Sequence, residues 1–348
     1  MDRQIPAPVA TLTLNPALDV TYEIPHLVAD QKVGALKTRF DPGGNGINVG
    51  RALKLLNISA RNCCVLAGEI GMLVERLLRN QLEGLHTVQV QGETRINGTI
   101  LELSPPAQYE VDGGGPRVAP EALEKILQDF LDGARGGLGV LTGSLPVGVP
   151  DEIYSALVQR LRQHEARAVV DSHGIPLELA VSQQPFLIKP NRYELEILCG
   201  HSLADLRAVV KEARRFHEKG VQYVCVSLGS EGAVLIGEKE VFHARAPAVK
   251  VNSTVGAGDS LVAGLVAGFA RNEEPAEALR LAVACGSGTA MKPGTGLFNP
   301  EDVESLLHFA LFAATQDVAD DLPQVRLGLV IFFAFAAHPH FFGHAPPL

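Results

Sequence analysis

The sequence predicts an α/β fold with a mostly parallel central sheet covered by helices, and a small β lid. Three observations carry this. Short apolar strand-like runs alternate with helix-like segments through most of the 348 residues, which is the βαβα order of a parallel sheet. Glycine, at 35 residues, suits many tight βα turns. Two segments, Val20–Phe40 and Arg95–Val111, mix polar residues with β-formers, carry little helical character and read as lid strands outside the core.

In chain order, Val9–Leu14 reads as a strand, and Gly46–Leu56 as a helix with Ile47, Val49, Ala52, Leu53 and Leu56 for its buried face. Cys63–Ala67 returns to strand and Leu73–Leu82 to helix. Gly139–Thr142, Ala168–Asp171, Phe186–Lys189 and Tyr223–Ser227 are short apolar strands. Helix-like segments lie among them at Ala122–Leu131, Ile153–His164 and Leu203–Glu218. After Ser260, the residues Leu261, Val262, Leu265, Val266 and Phe269 fall on one face of a further helix.

Composition narrows the function classes. Hydrophobic residues make up 46% and charged residues 20%, as in a globular protein with a large core. A formal net charge of −9 argues against a nucleic-acid partner. Five scattered cysteines with no C-x-x-C pair read as reduced core residues of a cytoplasmic chain. The first residues lack a long apolar signal core. The run Leu327–Ala337 is too short for a membrane span, which needs roughly 20 apolar residues. His338, His340 and His344 follow it among prolines, and such spacing alone is weak evidence for a metal. Residues 317–348 therefore read as a tail, and 1–316 as one domain with its lid from about 20–40 and 95–111.

Five motifs join a sixth, STVGAGDS, in one chemistry. In Ser253–Ser260 the small residues Gly256, Ala257 and Gly258 open a helix, whose free N–H groups favour an anion. Asp259 beside them can accept a proton, so the group suits phosphoryl transfer to a hydroxyl. Alone it is also a glycine-rich turn with an Asp near a cap. TLNPALD puts Asp19 after a strand, where a carboxylate can bind sugar hydroxyls or simply close a turn. DPGGNGINVGRA supplies Gly43, Gly44, Gly46 and Asn48, for close backbone approach and for hydrogen bonds to a hydroxyl. Lys32 and Arg95, in the lid segments, could clamp a phosphate, or each could be an ordinary solvated surface charge. KPNRYELE places Lys189, Asn191 and Glu194 after a strand; Asn and Glu three apart can hold hydrated Mg²⁺, or form an ordinary capping box. SLGSEGA, with Ser227, Gly229 and Gly232, suits a nucleotide-contacting loop.

With these motifs in this order, the chain resembles the PfkB (ribokinase-like) carbohydrate kinase family over roughly Val9 to Leu307. GGNGINVGRA matches one family signature and STVGAGDS the other, while TLNPALD, TRIN, TGSLPVGV, VVDSHG and KPNRYELE recur in the phosphofructokinase and tagatose-6-phosphate kinase branch. The resemblance implies a ribokinase-like three-layer sandwich and ATP-dependent phosphorylation of a phosphorylated ketohexose. Fructose 6-phosphate and fructose 1-phosphate both fit, with tagatose 6-phosphate, or a non-catalytic sugar-phosphate sensor of the same fold, as alternatives. It implies Asp259 as base and Gly256, Ala257 and Gly258 as an anion hole. Lys189, Asn191, Ser227, Gly229, Gly232 and Thr254 fall on ATP-side positions, and Asn191 and Glu194 on the Mg²⁺ motif. Asp19, Gly43, Gly44 and Asn48 fall on sugar-contacting positions, with Lys32, Arg95 and Ser144 near the substrate phosphate. It also implies a homodimer through the lid and K⁺ beside the anion hole, with Ser253, Val255 and Gly294 as carbonyl donors. The chain departs from the pattern at Val147, at Gly296, in the glycine-rich PPAQYEVDGGG segment and in its tail.

Overall fold

The computed structural model describes residues 5–238, 240–308 and 326–327. Ten strands form the main sheet in the order β14-β13-β12-β11-β10-β9-β8-β1-β4-β5. The chain starts it with β1 (Val9–Thr13), β4 (Arg61–Ala67) and β5 (Leu85–Val90). It continues with β8 (Leu138–Thr142), β9 (Arg167–Asp171), β10 (Leu187–Ile188) and β11 (Tyr223–Ser227). From β5 through β11 every pairing is parallel. β12 (Ala233–Ile236) and β13 (Glu240–Ala244) then add an antiparallel extension, and β14 (Arg326–Leu327) pairs in parallel with β13.

Strand alternation sorts side chains into two cores, because successive residues face opposite sides of a sheet. Ala10, Leu141, Val170, Ile188 and Val224 face α3 (Pro120–Ala134), α4 (Ile153–Gln163) and α7 (Leu206–Glu218). Val9, Val140, Val169, Leu187 and Cys225 face α1 (Asn45–Leu55), α8 (Ala257–Ala270) and α9 (Pro275–Ala290). The remaining helices are α2 (Gly68–Arg79), α5 (Gly174–Val181), α6 (Arg192–Cys199) and α10 (Pro300–Leu307). Helices on both faces of the sheet make three layers, as expected.

The second sheet is the lid, ordered β3-β2-β6-β7, from β2 (Ala17–Ile24), β3 (Lys37–Gly43), β6 (Arg95–Leu103) and β7 (Pro106–Val111). It begins three residues earlier than the sequence pattern placed it, and 25–36 runs as a loop.

Other expectations shift. The helix read from Leu203 starts at Leu206, because the Asp205 side chain accepts from the Ala208 N–H (2.8 Å) and caps it there. The helix read over Leu73–Leu82 begins at Gly68 and ends at Arg79. α8 is buried on all sides from Asp259 to Ala270, not along one face. It lies between the sheet, α1 and α9, and Gly264 and Gly268 bring its backbone against Ala282 and Ala278 of α9. All five cysteines are free, and four are buried; Cys199 is half-buried. Burial pushes the Cys64 and Cys225 thiols up to about 12. No described helix is long and apolar enough to cross a membrane. Apart from Leu327, the apolar run and the three histidines of the tail lie outside the described residues.

Candidate active site

The parallel strands end in one row, and chemistry-bearing residues follow each end: Ser144 after β8, Asp171 closing β9, Lys189 after β10 and Ser227 closing β11. Ligands of open α/β sheets bind beyond such carboxyl ends. A cavity of about 360 Å³ opens there, between the row, the start of α8 and the lid. Asp19, Gly44, Asn48, Arg95, Ser144, Glu194, Gly256 and Asp259 all line it.

α8 begins with Gly256 in the left-handed conformation (φ 76°), with no side chain capping it. Ala257 N–H donates to Thr254 O (3.2 Å), and the first helical bond runs from Ser260 N–H to Gly256 O (2.9 Å). Among the described residues the Gly258 and Asp259 N–H groups have no backbone acceptor, so they are open to an anion. The Asp259 side chain sits in the first turn and is 5% exposed. Asn45 Nδ2 donates to its Oδ1 and Asn48 Nδ2 to its Oδ2, each at 2.9 Å. Burial pushes Asp259 up to about 6 and the Asp171 carboxylate adds to this, while the two amides and Lys189 pull it down.

Local sequence explains the fit. α1 can start against β1 because Gly46 lacks a Cβ that would overlap Thr13 and the Leu12 carbonyl, and because Gly44 adopts φ 127°. Asn45 and Asn48 therefore face α8 from the first turn of α1. On the lid, Asp19 pairs in register with Asn97, whose Nδ2 donates to Asp19 Oδ1 (3.0 Å). Burial holds the Asp19 carboxyl above its usual value, against the pull of Asn97 and Arg95. Gly43 abuts this carboxylate, where any Cβ would overlap it. Arg95 Nε donates to Asn15 O (3.2 Å), and Asn15 Nδ2 donates to Ser144 Oγ (3.1 Å). Lys32 is not part of this group: it is exposed on the β2–β3 loop and does not line the cavity.

Lys189 is buried and ion-paired with Asp171 (3.1 Å). Burial alone would push its ammonium down, but the Asp171 and Glu194 carboxylates outweigh that and hold it above its usual value. Asn191 and Glu194 form a closed capping box on α6: Asn191 N–H donates to Glu194 Oε2 (2.7 Å) and Glu194 N–H to Asn191 Oδ1 (2.8 Å). Their oxygens also suit a Mg²⁺ ion, and Glu194 lines the cavity. Ser227 N–H donates to Pro190 O (3.1 Å), which sets β11 beside this turn. Gly229 and Gly232 shape the loop that follows with φ of 60° and 92°. Thr254 is exposed beside α8.

The loop expected to contribute to a potassium site has a cationic neighbour. Arg39, on lid strand β3, lies against Gly294, with Nη1 donating to Pro293 O and Nη2 to Thr295 Oγ1, each at 3.4 Å. A guanidinium thus lies beside the loop that carries Gly294.

Residue patterns left several members of the site unassigned: Asn45, Asn97, Asp112, Asp171, Ser172 and His173. Asn97 was within reach, since it shares a strand face with Arg95, two residues away. Asp171 was too, as the last residue of a strand ending in the same row.

The sequence pattern described as pfkB family carbohydrate kinase matches residues 11–302. The 1-phosphofructokinase of Bacillus subtilis is 35% identical over 305 residues, covering 86% of this chain and 97% of that protein. The ATP-dependent 6-phosphofructokinase isozyme 2 of Escherichia coli is 32% identical over 300 residues, covering 86% and 97%. The solved structure of Escherichia coli phosphofructokinase-2 in complex with substrates and products superposes with a TM-score of 0.84 at 31% identity, covering 87% of this chain and 99% of that one. A ribokinase from Thermotoga maritima, 18% identical, shares the fold with a TM-score of 0.71. By sequence, fold and the order of its motifs, this chain belongs to the pfkB family of carbohydrate kinases.

Proposed function

We propose that the chain transfers the γ-phosphoryl group of ATP to a phosphorylated ketohexose, fructose 1-phosphate or fructose 6-phosphate, giving fructose 1,6-bisphosphate and ADP. One observation carries the reading: a buried carboxylate, Asp259, stands beside the open N–H groups of α8 in a cavity that also holds Asp19, Asn97 and Arg95.

Asp19 and Asn97 bind sugar hydroxyls, and the Arg95 guanidinium takes the substrate phosphate. Asn45 and Asn48 aim Asp259 at the acceptor hydroxyl, whose proton it receives as the new O–P bond forms and ADP departs. The open N–H groups of Gly258 and Asp259, at the Gly256–Gly258 turn, face the oxygens of the transferring phosphoryl group. One such donor is worth about 3 kcal/mol of the barrier. Lys189, Ser227 and the Gly229–Gly232 loop flank the nucleotide, with Thr254 on its α8 side. Mg²⁺, held through water by Asn191 and Glu194, would neutralise phosphate charge when bound.

The lid supports a homodimer. By register Tyr22, Phe40, Ile96, Tyr109 and Val111 lie on the sheet face opposite Asp19, and each is at least 41% exposed. A second lid would cover this apolar surface.

The test is ADP release with Mg-ATP and fructose 1-phosphate, fructose 6-phosphate, tagatose 6-phosphate or unphosphorylated sugars. A kcat/KM preference for one fructose phosphate is expected. Turnover only with a non-phosphorylated acceptor, or with none, would overturn the reading.

A further inference from the structure

Arg51 lies one turn beyond Asn48 on α1 and does not line the cavity. Its Nη1 donates to Asn48 Oδ1 (3.2 Å), while Asn48 Nδ2 donates to Asp259 Oδ2 (2.9 Å). The guanidinium is thus one amide away from the carboxylate.

A primary amide is nearly the same shape either way round, yet one end donates and the other only accepts. Turned over, Asn48 would set its carbonyl oxygen against Asp259 and lose the hydrogen bond. Arg51 forbids that state, because the turned amide would also press its NH2 group against a guanidinium that has only donors. Arg51 is held in turn by the charges of Asp41 and Asp19, although burial pushes its own ionisation down. Asn45, which holds the other carboxylate oxygen, has no such cation hydrogen-bonded to its Oδ1 among the described residues. The two amides therefore differ: one is locked and one is not.

We propose that Arg51 is a positioning residue for phosphoryl transfer, locking the Asn48 amide so that its NH2 group faces Asp259. This rests on the reading of Asp259 as the base. Arg51 touches no substrate; it acts through Asn48, and removing it leaves the amide free to turn. The charged groups facing Asp259 are Asp171 from β9 and Lys189 from the end of β10. Those facing Arg51 are Asp19 from β2, and Asp41 and Arg39 from β3. Replacing Arg51 also takes a positive charge from beside Asp19 and Asp41, an effect that does not pass through Asn48.

The test is a double-mutant cycle with Arg51→Met, Asn48→Ala and the pair, measuring kcat against pH with Mg-ATP and the preferred fructose phosphate. Arg51→Met alone should lower kcat about tenfold. It should also move the acid limb of the profile up by roughly half a pH unit, as a carboxylate that loses a donor binds its proton more tightly. In the Asn48→Ala background the same replacement should change kcat less than about twofold, since the amide it acts through is gone. Arg51→Leu, which has no donor, carries the same expectations should Arg51→Met fail to fold. Wild-type kcat in the Arg51 variants, or a full tenfold loss persisting without Asn48, would overturn the proposal. Asp259→Asn measured alongside separates the readings: normal turnover there sinks the base itself, whereas an inert Asp259→Asn with additive Arg51 and Asn48 effects sinks only the lock.

Discussion

Two helices start at the edge of the same cavity, and they start differently. α6 opens on Asn191, whose capping box with Glu194 satisfies two of the N–H groups that a helix start leaves over. α8 opens on Gly256, with no capping side chain and with the Gly258 and Asp259 N–H groups unanswered by the described backbone. A closed start is a structural solution: it makes α6 stable with or without ligand. An open start gives up that stabilisation and keeps its donors for an anion. The contrast supports the proposed reading, in which the reacting phosphoryl group sits at α8 while α6 holds a carboxylate at the cavity edge.

Short of removing Asp259, Gly258→Ala should have the largest effect on the open start of α8. A Cβ there meets only Lys189 Nζ, at 3.9 Å, and alanine favours helix. The fold should be untouched and Tm unchanged, while a methyl group in the anion's space lowers kcat about a hundredfold. Unchanged kcat would mean that the open start faces nothing that reacts.

Glu194→Gln sharpens the other side. The amide oxygen can still accept from Asn191 N–H, so the cap and Tm should survive. The lost charge should cost about tenfold in kcat and raise the Mg²⁺ concentration for half-maximal rate. If Tm falls and the Mg²⁺ dependence does not move, Glu194 serves only the helix.

The pH dependence follows from Asp259, pushed up to about 6. A base must be ionised, so kcat should be level above that pH and fall about tenfold per unit below it. The stability effect has the opposite sign. The unfolded carboxyl titrates near 3.8 and the folded one near 6, so the folded state binds the proton more tightly. This group's contribution is most favourable at low pH and is lost as pH rises through about 6. Asp259→Asn should accordingly melt higher than wild type at pH 8. A lower melting temperature would show that the ionised carboxylate is stabilising.

Asn191→Ala is the smallest effect. Loss of the cap should cost about 1 kcal/mol, a fall in Tm of about 2–4 °C. A thermal melt that does not move would leave α6 as open as α8.

Much of this was legible in the sequence, for identifiable reasons. Strands such as Tyr223–Ser227 were readable because a strand buried on both faces is apolar throughout. The glycines of DPGGNG and STVGAGDS were readable because close backbone approach tolerates little else. Pairings between distant segments were not. Asn45 meets Asp259 across more than 200 positions, and nothing near either residue announces the other. Lys32 could not be placed by its charge alone, since a loop cation reads the same whether it faces a cavity or solvent. Arg39 against Gly294 was equally hidden, because it depends on how the lid sits over the α9–α10 loop.

In the proposed reaction the carboxylate at the open helix start takes the acceptor's proton. The most direct test is Asp259→Asn, with kcat from ADP release and fructose phosphate affinity from calorimetry on the same preparation. A fall in kcat of about a thousandfold with affinity nearly unchanged is expected. Turnover within tenfold of wild type would contradict it, and the base would have to be sought elsewhere in the cavity.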